Sequence, residues 1–281
     1  MIDAAIKGKL GRDQVRAHDR SEDLLTSTVF GLLRYLPHKQ GIIEIISRSK
    51  RAYLDGNGLN IDRDSRGNTA WLGLDSAVTC EVEFWPSLKE FGQPDVVLVM
   101  RDCHGDCIHL VLVEVKLYSP KSGSADEDDD IDEEEPDPDQ LFRYWQGLMK
   151  RRDESPIIRR TVVYLTSHST PPAEELSETL KRAGELTETL KRAVDIRLAW
   201  LSWRDVWRVV RDVAALPESP AADLTRLLEY YGFKDFEGFH EQPRSWSGPG
   251  HFWKADDWFT SRSRPISFPQ TGFWRYDERD D

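Results

Sequence analysis

Polar residues stand at several places where the surrounding pattern asks for apolar ones. In "HLVLVEVKLYSP" (109–120) Glu114 and Lys116 interrupt a run that otherwise reads as a buried strand, and two residues apart they share one face. Upstream, "PDVVLVM" (94–100) carries Asp95 at the head of a second apolar run. The link "RDCHGDC" is short and turn-rich, which predicts an antiparallel hairpin. Symmetry about His104 and Gly105 sets Asp95 opposite Glu114, with Cβ atoms roughly 5 Å apart. Two carboxylates so placed repel, unless a divalent cation takes both as ligands. Oxygen-only ligation with room for waters suits Mg2+ or Mn2+. A lysine beside such an ion can position an attacking water or stabilise charge on phosphorus, so phosphodiester hydrolysis fits these parts best. The plain alternative is that Asp95 caps the strand start while Glu114 and Lys116 pair on a half-solvated sheet.

Two further sets point the same way. Glu22 precedes Leu25, Val29 and Leu33 by 3, 7 and 11 residues, which places it on the apolar stripe of a helix and aims it at the sheet. A capping box with Asp19 is its local alternative. Gln140 and Tyr144, four apart, share a helix face; Gln140 reaching back to Asp137 is the corresponding local reading. Cys103, His104, Cys107 and His109 would suit Zn2+ by residue type, but their spacing fits no common finger and the stretch serves as a turn. Glu81 and Glu83 share one face of a strand and read as a solvent-facing edge.

The elements that must position these residues follow from periodicity. An amphipathic helix runs from about Gly11 to Leu36, ended by Pro37 and Gly41. Residues 51–73, rich in Gly, Asn and Asp, read as a loop or short hairpin. Strands follow at 77–85, 94–100 and 107–117. A helix then begins near Asp137, the expected N-cap, with Pro138 in its first turn. A strand at 161–172 leads to a surface helix holding the tandem decapeptide "ELSETLKRAG", "ELTETLKRAV". A strand at 195–203 and helices at "RDVWRVVRDVAAL" and "AADLTRLLEYYGF" complete the pattern. Three adjacent strands followed by β and α units predict an α/β fold, a mixed central sheet flanked by helices.

Composition bounds the rest. The 281 residues carry a formal charge of −12, but 11 acids and no base lie in 125–139; without that segment the 50 acids fall to 39 against 38 Lys plus Arg. The acidity is therefore local, and polyanion binding by the remainder stays open. No apolar stretch approaches a membrane span or a signal peptide, and three cysteines make no disulfide framework, so a cytoplasmic protein without a membrane partner is expected. Residues 1–215 form one expected domain, with 125–139 as an acidic insertion, and 216–281 a helical and aromatic-rich C-terminal extension. The acidic segment and the tail, which carries Trp246, Trp253, Trp258 and Trp274, are candidate protein-docking elements. A homodimer is compatible with the sequence.

The combination resembles the PD-(D/E)XK nuclease superfamily, in its RecB-type branch. "PD" at 94–95 and "EVK" at 114–116 match its metal-binding hairpin, Glu22 its first-motif acid, and "QLFRY" (140–144) its Q-x-x-x-Y motif. The resemblance covers roughly residues 10–205, and the acidic insertion is not part of the common core. It implies a restriction-endonuclease-like core and Mg2+ (or Mn2+) held by Asp95, Glu114 and the Val115 carbonyl, with Glu22 holding a water of that ion or a second ion. Lys116 would orient the water nucleophile, Gln140 would support it, and Tyr144 would contact substrate phosphate. The implied activity is that of a metal-dependent nuclease, endonuclease or exonuclease. DNA is the favoured substrate and DNA repair or defence against foreign DNA the setting. A catalytically inactive nuclease-fold protein that binds nucleic acid or assembles a complex is the alternative.

Overall fold

The run Cys107–Lys116 is apolar on both of its rows, and a strand apolar on both faces must be covered on both. In the computed structural model, which describes residues 17–56, 58–62, 71–117, 139–151, 159–190, 196–214 and 219–236, it is the central strand β5 of an α/β unit. In chain order the elements are α1 (Ala17–Leu33), α2 (Ile42–Ser47), β1 (Lys50–Asp55), β2 (Gly58–Ile61), β3 (Thr79–Phe84), β4 (Val96–Arg101), β5 (Cys107–Lys116), α3 (Gln140–Lys150), β6 (Arg159–Thr166), α4 (Ala173–Leu190), β7 (Leu198–Ser202), α5 (Trp203–Val213) and α6 (Pro220–Tyr230). The strands form one mixed sheet in the order β2-β1-β7-β6-β5-β4-β3. β3, β4 and β5 are antiparallel neighbours, β5, β6 and β7 run parallel, and β1 and β2 complete the other edge antiparallel.

Odd-numbered residues of β5 (Val111, Val113, Val115) enter a core with Leu25, Val29 and Leu33 of α1, Trp207 of α5 and Leu224 of α6. Even-numbered Leu110 and Leu112 enter a second core with Leu141, Tyr144 and Leu148 of α3 and Leu176 of α4. The alternation of β5 thus separates two helical layers, and Glu114 and Lys116 continue the row that faces α3.

Several sequence expectations change. Within 51–73 the short hairpin, one of the two readings of that stretch, is present as β1–β2; what the sequence did not indicate is that it joins the sheet through β7 and brings it to seven strands. α2 was not anticipated, because "GIIEIIS" is too short to separate a helical period from an apolar strand. The N-cap of α3 is Asp139, whose carboxylate accepts from Phe142 N–H at 2.9 Å; Asp137 lies outside the described residues. The compact unit runs to Phe236, and Ala221, Leu224 and Leu228 of α6 are buried in its first core. The acidic segment 125–138 and the tail from 237 onward lie outside the described residues. No helix among the described residues is long and apolar enough to cross a membrane.

Candidate active site

The hairpin register is the one symmetry predicts. Val96 pairs with Val113, Val97 with Leu112, and the ladder continues in step to Met100 and His109 before a bulge at Arg101 and Cys107. Asp95 stands one step beyond Val96, on the Glu114 side of the ladder, and its own carbonyl accepts from Trp85 N–H at 2.9 Å, which holds it to the end of β3.

β5 outlasts β4. Past Val113 it remains paired with β6 as far as Lys116 and Thr166, while its other edge has lost its strand neighbour. Backbone N–H groups on that edge must find acceptors, and side chains supply them. Asp95 Oδ2 accepts from Val115 N–H at 2.9 Å, and Glu22 Oε2, reaching across from α1, accepts from Leu117 N–H at 2.7 Å. A strand residue directs its N–H and C=O to the same side, so the Val115 carbonyl faces the Asp95 side too.

Lys116 closes the cluster. Its ammonium lies 3.0 Å from Glu114 Oε1 and 3.5 Å from Glu22 Oε1, with only 7% of the residue exposed. Burial works against its charge, but Glu114, Glu22 and Asp95 together outweigh burial and hold its pKa above the usual lysine range. Glu114 shows the other side of this balance. Burial first, and then the Asp95 carboxylate, push it up to about 8, with Lys116 opposing. Glu22 is likewise raised, chiefly by burial. Three carboxyl groups share one ammonium in a nearly dry place and could all ionise only with an excess of negative charge; burial and that excess together raise Glu114 and Glu22.

From α3, Gln140 donates through Nε2 to the Tyr144 hydroxyl at 3.0 Å, and that hydroxyl donates to the Gln93 carbonyl at 3.2 Å. Tyr144 is buried and its ring abuts Gly92, where φ is +98° and an added Cβ would come within 3.1 Å of the ring. Its hydroxyl thus ties α3 to the 85–95 connection before Asp95. Glu114 Oε2 and Gln140 Oε1 are buried without a hydrogen-bond partner.

Among the described residues no group of three or more His, Cys, Asp and Glu is arranged to hold a metal ion. The residues nevertheless fit a hard divalent cation. Mg2+ needs only one or two carboxylates and fills its shell with water and phosphate oxygens, and the orphaned Glu114 Oε2 is a buried acceptor in want of a positive partner. The zinc alternative does not form: Cys103 is exposed, and buried His109 lies 2.8 Å from Thr161 Oγ1. Of the two edge acids, Glu81 is exposed, and Glu83 is held by Arg151 through two contacts of 2.7 and 2.8 Å.

The sheet adds residues that sequence reasoning missed. Glu114 pairs with Tyr164, Tyr164 with Trp200, and Trp200 with Lys50, so one lateral row crosses the sheet from the carboxylates to β1. Tyr164 donates to Glu175 of α4, and Trp200 Nε1 donates to Thr166 Oγ1 at 2.9 Å. The only local signal for these residues was a polar or aromatic side chain near the end of each apolar run. Compared with protein-family models, with curated proteins and with solved structures, the chain matches none, so a functional reading rests on the geometry of this site.

Proposed function

We propose that the chain is a metal-dependent nuclease of the PD-(D/E)XK type that hydrolyses phosphodiester bonds of nucleic acid, with DNA the favoured substrate. The observation that carries this reading is the gathering of Asp95, Glu114, Lys116 and Glu22 at the overhanging end of β5, where a carboxylate is left buried with an unpartnered oxygen. Asp95, Glu114 and the Val115 carbonyl would hold Mg2+ or Mn2+. Bound there, such an ion would supply positive charge to neutralise the phosphodiester and make water more acidic.

The chain's own groups divide the remaining work. An ammonium has three N–H donors; Glu114 and Glu22 take two of Lys116's, and the third is left for an attacking water or a non-bridging phosphate oxygen. Held protonated by its neighbours, Lys116 orients and stabilises negative charge rather than accepting a proton. Gln140, with Oε1 open, accepts from that water, while Glu22 steadies Lys116. DNA repair or defence against foreign DNA is the setting that suits such an activity.

A second reading has its own support: Asp95 and Glu22 already serve as acceptors for Val115 and Leu117 N–H, as they would in a nuclease-fold protein that only binds nucleic acid or assembles a complex. Cleavage of plasmid and of labelled DNA and RNA oligonucleotides with Mg2+, with EDTA, and by Lys116→Met decides between them. The nuclease reading expects cleavage that EDTA abolishes and that the variant lacks by at least a hundredfold, as loss of an electrostatic group in a dry site does. Wild-type protein that cuts none of these substrates with Mg2+ or Mn2+ overturns it in favour of the binding module.

A further inference from the structure

The lateral row that begins at Asp95 and Glu114 ends at Lys50, the first residue of β1. Paired residues of neighbouring strands present side chains to one face, and Lys50 shares its face with Ala52, which lies in the same core as Tyr144 and Tyr164. Three strand spacings of about 4.8 Å separate the β5 and β1 backbones, roughly 14 Å in all. Between them stand Tyr164, Thr166 and Trp200, all buried near the ends of β6 and β7. The row lies toward the carboxyl ends of the parallel strands, where ligands of α/β sheets bind.

Lys50 is poised rather than buried. Its Nζ sits over the Trp200 ring, 4.6 Å from the centroid, and 24% of its side chain is exposed. Its carboxylate neighbour Asp205 is at 3.5 Å, while Asp205 Oδ1 already has Arg208 at 2.6 Å. Lys50 is therefore a second claimant on an acid that keeps another partner, and its ammonium retains donor capacity toward solvent. An aromatic ring beneath the charge restricts the stem, which lowers the ordering cost of a further contact.

We propose that Lys50 is a phosphate-contacting residue that engages the nucleic-acid backbone several nucleotides from the scissile bond, extending the binding surface from Lys116 across the sheet. The proposal rests on the nuclease reading above and assigns it a substrate track: along the strand ends toward β1, not toward β3. The roughly 14 Å between the two strands corresponds to a span of about two to three phosphates, because the backbone winds around the duplex and successive phosphates lie farther apart than the 3.4 Å axial rise.

The test uses the full chain with Lys50→Met, which keeps the stem on Trp200 and leaves Asp205 paired with Arg208, and Lys50→Arg, which keeps the charge. Binding of fluorescent 30-nucleotide DNA, single- and double-stranded, is titrated from 50 to 200 mM salt, and cleavage with Mg2+ is followed in parallel. The expected result for Lys50→Met is a three- to tenfold weaker Kd, with the slope of log K against log salt reduced by about 0.9 on duplex or 0.7 on single strand. KM should rise more than kcat falls, and Lys50→Arg should restore both Kd and slope. Lys181→Met, an exposed lysine of α4, is the reference and should leave the slope unchanged. If the wild type binds and cuts DNA while Lys50→Met alters neither Kd nor slope, or if Lys50→Arg is as impaired as Lys50→Met, the track toward β1 is wrong and the nuclease reading survives. If the wild type neither binds nor cuts, both fall together.

Discussion

Asp95→Asn separates a strained functional cluster from a purely structural one. The amide keeps the shape of the carboxyl, and its Oδ1 can accept the Val115 N–H that Asp95 Oδ2 now holds at 2.9 Å, so the overhang of β5 stays pinned. What disappears is one negative charge among three carboxylates sharing Lys116. The group most relieved is Glu114, which burial and then Asp95 push from 4.5 to about 8. Two unit charges roughly 6 Å apart at an effective dielectric of about 20 repel by about 3 kcal/mol, a ceiling because Glu114 escapes part of it by protonation.

The sign of the pH dependence follows. A carboxyl with a raised folded pKa favours folding in its protonated form, so its contribution is full below 4.5 and is lost as pH rises through 8. Asp95→Asn should therefore stabilise by roughly 1–2 kcal/mol at pH 8 and by little near pH 4.5. For a unit of this size that is a rise of roughly 2–8 °C in Tm at pH 8. Asp95→Ala leaves Val115 N–H without an acceptor, costs about 1–3 kcal/mol, and should fall below the Asn variant at every pH. Thermal unfolding in EDTA between pH 4.5 and 8, followed by circular dichroism, measures both. An Asn variant no more stable than wild type at pH 8, or as damaged as the Ala variant, refutes the argument and leaves Asp95 a plain strand cap. In the Mg2+ cleavage assay the Asn variant should be the more stable protein and the inactive one.

Tyr144→Phe removes the hydroxyl that links Gln140 to the Gln93 carbonyl; it should cost about 1–2 kcal/mol in chemical unfolding, whereas a phosphate-contacting tyrosine would lose substrate affinity with stability intact. His109, which burial and then Arg197 and Arg159 hold down to about 3, stays neutral in the folded protein while the unfolded chain takes up a proton below 6.5. Stability should consequently fall as pH drops through that window, by roughly 2 kcal/mol between pH 7 and pH 5. His109→Gln should flatten the curve by that amount in urea unfolding at the two pH values, and an unchanged slope would show that His109 titrates normally.

What the sequence could determine by itself was local. The alternation of "PDVVLVM" and "HLVLVEV" and the short turn between them set the hairpin and its register, since slipping by one residue would turn every apolar side chain to the wrong face. Likewise, the 3.6-residue stripe of α1 required Glu22 to face the sheet. Those two patterns set Asp95, Glu114 and Lys116 together and turned Glu22 toward the sheet; that Glu22 meets Lys116 and the Leu117 N–H was decided by the packing of α1. The tertiary structure decided what depends on partners distant in the chain. The acids at 137 and 139, two apart, look alike until Thr179 of α4 and Phe142 N–H select Asp139. Tyr144 reads as a free hydroxyl until the Gln93 carbonyl claims it. The row through Tyr164, Trp200 and Lys50 depends on parallel and edge pairings between segments far apart in sequence, and no local period encodes their register. Most of all, β5 outlasting β4 on one edge only, which makes the two carboxylates acceptors for backbone N–H, is a mismatch between two strands that neither strand's own residues record.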